Sequence, residues 1–334
     1  MQFDCLTIGN AIVDIIAPSD DAFLRDHAII KGAMNLIDAE RAEALYDAMG
    51  PATEASGGSA GNTAAGLASF GGRAAYFGKV ADDQLGSIFA HDIRAVGAHF
   101  EVPPLPRGGA PTARSMIFVT PDGERSMNTY LGACVEFGPE DVDEAVVAES
   151  QVTYFEGYLW DPPRAKDAIR LCARIAHETN SDGMGRKVAM TLSDTFCVDR
   201  WRPEFLELMR SGTVDIVFAN EAEAKALYQT SDLDTAISAL RDDCELAAVT
   251  RSEHGSIVVS KSGNVAVPAF PIDKVVDTTG AGDLYASGFL YGLTRGREAA
   301  DCARLGALAA AEVIAHIGPR PQVALKDLAE QAGL

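Results

Sequence analysis

Short apolar runs recur along the 334-residue chain with amphipathic stretches between them, and this alternation constrains the fold more than any other feature. The runs lie at residues 6–8, 74–77, 152–155, 188–192, 214–218 and 246–249, and helical patterns fall at 85–96, 164–178 and 233–240. A strand that is apolar throughout is covered on both faces, and a helix between successive strands supplies the cover. The chain is therefore read as α/β, with a mostly parallel central sheet flanked by helices. Helical segments at 281–293, 297–316 and 321–331 close it. Two stretches break the rhythm. Residues 12–37 carry apolar patches without a convincing helix, and 99–131 read as strand, turn, strand, with Gly123 at the left-handed position of a hairpin. Met127, Thr129 and Leu131 alternate there with Asn128 and Tyr130, as on a two-faced strand. We read one domain over 1–334, with a small β-sheet built from these insertions.

Charge narrows the partners. Twenty-eight basic against forty-eight acidic residues give a formal net charge of −20, the opposite of a nucleic-acid or anionic-membrane binder. The six cysteines form no C-x-x-C pair and the six histidines no metal-ligand pattern. The apolar stretch 305–315 is broken by Glu312 and falls short of the ~20 residues of a membrane span. These features predict a cytoplasmic protein with small-molecule partners, monomeric or homodimeric.

The sharpest string is DTTGAGD, Asp277 to Asp283, ahead of a helical pattern. A glycine-alanine-glycine turn opening a helix leaves main-chain N–H groups bare at the positive end of the helix dipole, which makes an anion site. Asp283 falls in the first turn. Beside a bound phosphate a carboxylate binds poorly, but it serves well as a base that takes a hydroxyl proton. Without an anion it is simply an acid in a favourable first turn. A second string, SGGSAGNTAAGLASFGG, runs from Ser56 to Gly72. Its glycines free the backbone before a helix and Ser59 suits an N-cap. Asn62 adds an amide that donates to and accepts from sugar hydroxyls. The chain has no G-x-x-x-x-G-K-[ST], and its nearest approach to G-x-G-x-x-[GA] ends on Tyr285, which disfavours P-loop and dinucleotide folds.

Together with FGKVADDQLG at 77–86, these strings resemble the two signatures of the ribokinase-like sugar and nucleoside kinases, the PfkB family. The resemblance extends over nearly the whole chain, from GNAIVDI at 9–15 to IGPRP at 317–321. It implies transfer of a phosphoryl group from ATP, with Mg2+, to a hydroxymethyl group, on a ribokinase-like fold with a β-sheet lid. Carried over by position, Asp283 is the base, Gly280, Ala281 and Gly282 form the anion hole, and Arg125 is a lid arginine reaching the transferred group. Asp14, Gly58, Ser59 and Asn62 hold the sugar. Asn220 and Glu223 in NEAEA organise phosphate and a magnesium-bound water; out of this context they read as the N-cap and acidic first turn of a helix. Thr250 and Gly255 match the turn under ATP, with Ala310 against the adenine. Asp277 sits where related kinases form a monovalent-cation loop, with K+ the candidate.

Within the family, GNAIVDI, KGAMNLID at 31–38 and ERSMNTYLGA at 124–133 resemble the adenosine-phosphorylating branch. That likeness turns Met34, Met127, Thr129 and Leu131 toward a base, and Tyr158, Leu159, Trp160 and Phe196 are aromatic or apolar candidates to enclose it. The order of acceptors is adenosine, phosphorylated at its 5′-hydroxyl to AMP in purine salvage, then another nucleoside or ribose. A fructose- or ketodeoxygluconate-type sugar follows. A ligand sensor without catalysis is the reading from another class, and an intact GAGD argues against it.

Overall fold

The computed structural model describes residues 1–182 and 185–334. In chain order the strands are β1 (Phe3–Ile8), β2 (Ile12–Pro18), β3 (Met34–Leu36), β4 (Thr53–Ser56), β5 (Ala74–Phe77), β6 (Ala113–Val119) and β7 (Arg125–Tyr130). They continue with β8 (Ser150–Glu156), β9 (Lys187–Thr191), β10 (Ile216–Asn220), β11 (Leu246–Thr250), β12 (Ser256–Ser260) and β13 (Gly263–Val267). Two sheets result, one ordered β13-β12-β11-β10-β9-β8-β1-β5 and a smaller one ordered β3-β7-β6-β2-β4.

The large sheet is parallel from β5 to β11, and β12 and β13 close it as an antiparallel hairpin. Strand β1 is buried along its whole length, as a strand covered by helices on both faces must be. All six apolar runs are strands of this sheet, displaced by at most a few residues, and the helix expected at 281–293 is Ala281–Leu293. The β12–β13 hairpin was not foreseen, because four of the five residues of β13 are exposed and carry no apolar alternation. Helices Ala39–Ala48 and Thr195–Arg210 were not foreseen either; the second contains Pro203, which masks its periodicity.

In the small sheet β6 and β7 form the expected hairpin, with Gly123 at φ 86°. Strand β2 runs parallel to β6 and antiparallel to β4, which comes from residues outside the two expected insertions. The stretch 12–37 does contain a helix, Asp21–Asp26, with the Asp20 side chain accepting from the Phe23 N–H. Leu131 lies one residue beyond β7, where the chain enters a tight turn. Among the described residues the six cysteines are free and buried, and no helix is long and apolar enough to cross a membrane.

Candidate active site

Ligands of open α/β sheets bind beyond the carboxyl ends of the strands. A cavity of about 1360 Å³ lies there, lined by Asn10 after β1, Glu156 of β8, Thr191 of β9, Asn220 of β10 and Thr250 of β11. Its roof is the inner face of the small sheet, and residues 278–283 form one wall. The predicted site residues line this cavity, with four exceptions: Arg125, Asp277, Leu159 and Trp160. Leu159 and Trp160 are fully buried in the core, where Trp160 stacks on Phe155 and its Nε1 donates to Glu204, so they do not enclose a base. Tyr158 lines the cavity and Phe196, 78% exposed, stands at it.

The phosphate-side wall follows from two glycines. Gly280 adopts the left-handed conformation (φ 78°) that starts helix Ala281–Leu293, and a Cβ there would lie 2.8 Å from Pro319. At Gly282 a Cβ would meet nothing within 4 Å, so the space before the helix start stays open. That is the arrangement an anion needs. Asp283 lies one residue further on, where its Oδ1 accepts from Ser59 Oγ at 2.6 Å and its Oδ2 from Asn62 Nδ2 at 3.0 Å. Burial pushes its carboxyl up to about 6, while these two hydrogen bonds pull the other way. The base candidate is thus held in place by uncharged donors. Ser59 and Asn62, expected on the sugar, serve Asp283 first.

The acceptor side offers hydrogen-bond acceptors without donors. Asn62 Oδ1 is buried and unpartnered, and so is Asn10 Oδ1. The carboxylate of Asp14 lies across the glycine turn, so close that a Cβ on Gly57 would sit 2.4 Å from it. Among the described residues no hydrogen-bond donor reaches that carboxylate. Burial pushes Asp14 up to about 6, opposed by the charges of Arg125 and Arg320. Glu156 accepts from the Asn10 N–H at 2.9 Å and Nδ2 at 2.8 Å, and from the Ala60 N–H at 2.8 Å. Burial pushes it up to about 7, with Asp283 nearby adding to the shift. Sequence reasoning missed Glu156 and Asn10, although Asn10 stands in GNAIVDI and Glu156 lies two residues before Tyr158, both of which it singled out.

Arg125 is not a solvated hairpin charge. Its guanidinium is 8% exposed and paired with the carboxylate of Asp277, itself 7% exposed. Asp277 also accepts from the Thr279 N–H and Oγ1 and from the Gly318 N–H. Burial would raise this carboxyl, but those hydrogen bonds and the Arg125 charge hold it below its ordinary value. Its oxygens are filled by protein donors, so the carboxylate does not suit a monovalent cation. The Arg125 Nε and Nη2 remain buried and unpartnered. At the end of β10, Asn220 and Glu223 form a reciprocal cap: the Glu223 N–H donates to Asn220 Oδ1, and Asn220 N–H and Nδ2 donate to Glu223. Burial pushes Glu223 up to about 7. Thr250, Gly255, Phe270, Ile272 and Ala310 line the same cavity. Among the described residues no group of three or more His, Cys, Asp or Glu is placed to hold a metal ion.

A buried carboxylate lining a cavity beside a glycine-opened helix start suits phosphoryl transfer onto an alcohol, and the chain is a phosphotransferase of that class. It belongs to the pfkB family carbohydrate kinases, matching that family over residues 29–324. Membership implies ATP as the phosphoryl donor. The crystal structure of adenosine kinase from Sinorhizobium meliloti is 69% identical, with a TM-score of 0.91 and 99% of this chain and 100% of that one covered. That of a probable sugar kinase from Rhizobium etli is 65% identical, with a TM-score of 0.92 and 99% of each chain covered. Adenosine kinase of Saccharomyces cerevisiae is 27% identical over 96% of this chain and 97% of its own.

Proposed function

We propose that the chain phosphorylates the 5′-hydroxyl of a nucleoside, adenosine giving AMP, as a single kinase domain with the five-stranded sheet as its lid. The observation that carries this reading is the two-natured acceptor end of the cavity. Beside the glycine turn it presents Asp14 of β2, Asn10 Oδ1 and Asn62 Oδ1, acceptors that suit the hydroxyls of a ribose. Its roof presents Met34, Leu36, Met127 and Leu131, with Phe196 at the side, an apolar slot that suits a base. The Sinorhizobium relative's identity supports adenosine, and the Rhizobium relative's description supports a sugar kinase as the second reading.

In this mechanism Asp283 takes the proton of the 5′-hydroxyl as its oxygen attacks the γ-phosphorus of ATP, the bond from that phosphorus to the β,γ-bridging oxygen breaks and ADP leaves, and the N–H groups at 280–282 meet the charge that develops. Arg125 reaches the same charge through its idle Nε and Nη2. Magnesium, supplied with the nucleotide, would neutralise phosphate charge there, with Glu223 the residue that would hold one of its waters. A monovalent cation such as K+ at the 277 loop would rest on main-chain carbonyls, since the Asp277 carboxylate is taken. Purified protein assayed with ATP and adenosine, ribose or fructose tests the reading: adenosine should lead in kcat/KM by at least about tenfold, the factor of 1.4 kcal/mol. A free sugar in the lead overturns it.

A further inference from the structure

Arg320 follows helix Ala299–Ile314 in the IGPRP segment and does not line the cavity. Its Nη1 donates to Ser56 Oγ at 2.6 Å, and the Ser56 N–H donates to Asp92 Oδ2 at 3.1 Å. Its Nε and Nη2 are closed to solvent and have no partner, and Nη2 lies 3.6 Å from where a Cβ on Gly61 would be. The guanidinium therefore sits between the last residue of β4 and the first turn of helix Ser59–Ser69, behind the Gly57–Gly58 turn. Asp14 lies across the same turn from the cavity side.

We propose that Arg320 is a positioning residue of the acceptor site, fixing the glycine turn and the carboxylate of Asp14 from behind without touching the substrate. The inference rests on the reading that Asp14 takes acceptor hydroxyls. A buried carboxylate with no donor and a buried guanidinium with two idle nitrogens are each costly alone, and each offsets the other when close. Arg125, the other cation acting on Asp14, is already committed to Asp277. Asp92 and Asp14 are the acids that favour the charge on Arg320, and Asp92 is bound to the main chain of Ser56. Only Asp14 among these faces the cavity. The neighbouring Gly318 N–H and Pro319 brace the phosphate loop through Asp277 and Gly280. Truncating the Arg320 side chain leaves those contacts in place.

The test is a double-mutant cycle of Arg320→Met and Asp14→Asn, with Arg320→Lys beside it, assayed with whichever of adenosine, ribose or fructose is turned over best. Arg320→Met should raise the acceptor KM about tenfold or more while the KM for ATP stays within about twofold, and Arg320→Lys should recover part of the loss. On the Asp14→Asn background, Arg320→Met should add less than about a twofold effect, because its partner is already gone. If Arg320→Met proves insoluble, Ser56→Ala cuts the tether and should give the same split in smaller measure. Multiplying effects in the double mutant, or a KM for ATP that rises in step, would overturn the inference while leaving Asp14's role intact. A silent Asp14→Asn would overturn both. A cycle that closes with a sugar in place of adenosine supports the inference and removes only the nucleoside reading.

Discussion

Asp283 has only neutral donors on its carboxylate, and burial lifts it to about 6. It is therefore a base that is mostly ionised at neutral pH yet keeps some appetite for a proton, which suits general-base work. Asp283→Asn keeps the shape and both neighbours but cannot take the proton, so kcat should fall by roughly 10²–10⁴. ATP and acceptor affinities measured by calorimetry should stay within a few fold, and a variant keeping more than about a tenth of the wild-type kcat would remove the assignment. The pH profile gives a finer reading. Wild-type kcat/KM for the acceptor should rise through about pH 6, a limb that belongs to Asp283 and Asp14 together. The Ser59 hydroxyl stabilises the ionised form, so Ser59→Ala should move the limb to higher pH; a limb that stays or moves down would mean that Ser59 does not tune the base.

The small sheet and the loop before helix Ala281–Leu293 touch through Arg125 of β7 and Asp277, an ion pair that links two elements. The roof face of the lid makes its own prediction. Leu131→Glu sets an unpaired charge against the slot proposed for the base, a costly desolvation. Adenosine kcat/KM should fall by about 10² or more, because roughly 3 kcal/mol is at stake, while the melting temperature changes little. Unchanged adenosine turnover in that variant would argue for a small acceptor that never reaches Leu131. Legibility from sequence divides along the same elements. Strands buried on both faces announced themselves because that setting favours largely apolar runs, as in β5 and much of β1. The exposed β13 did not. The glycine turns and Asp283 were legible because few residues tolerate a left-handed helix start or a carboxylate beside a phosphate. Glu156, Asn10 and Arg320 were not, because what marks them is burial with unmet or reciprocal hydrogen bonds. Residues far apart in sequence, such as Glu156 and Ala60, make those bonds only after folding.

At the scale of the whole molecule, four acids meet the cavity with carboxyls raised by burial: Asp14 and Asp283 to about 6, Glu156 and Glu223 to about 7. Glu156 and Glu223 each feel the charge of Asp283. Gathering like charges at the strand ends of a chain of net charge −20 favours catalysis and disfavours the fold. The sign follows from linkage. In each case the folded state binds its proton more tightly than the unfolded chain, so these groups contribute most to stability below their unfolded values and lose that contribution as pH rises through about 6 to 7. Acids held low, such as Asp277 and Asp4, are ionised in both states over that window and weaken the fold only at more acid pH. The ligand-free protein should therefore melt higher near pH 5.5 than near pH 8 in scanning calorimetry. Asp283→Asn removes one of the charges, and it should raise the melting temperature more near pH 8 than near pH 5.5, because ionisation of the folded-state carboxyl between these values adds to the penalty already set by its ionisation in the unfolded chain. A melting temperature that climbs between these two pH values, or an equal gain for Asp283→Asn at both, would mean that the cavity's acids are not the strained groups their burial makes them. A gain that grows toward the higher pH would tie the loss of stability to the carboxylate proposed as the base.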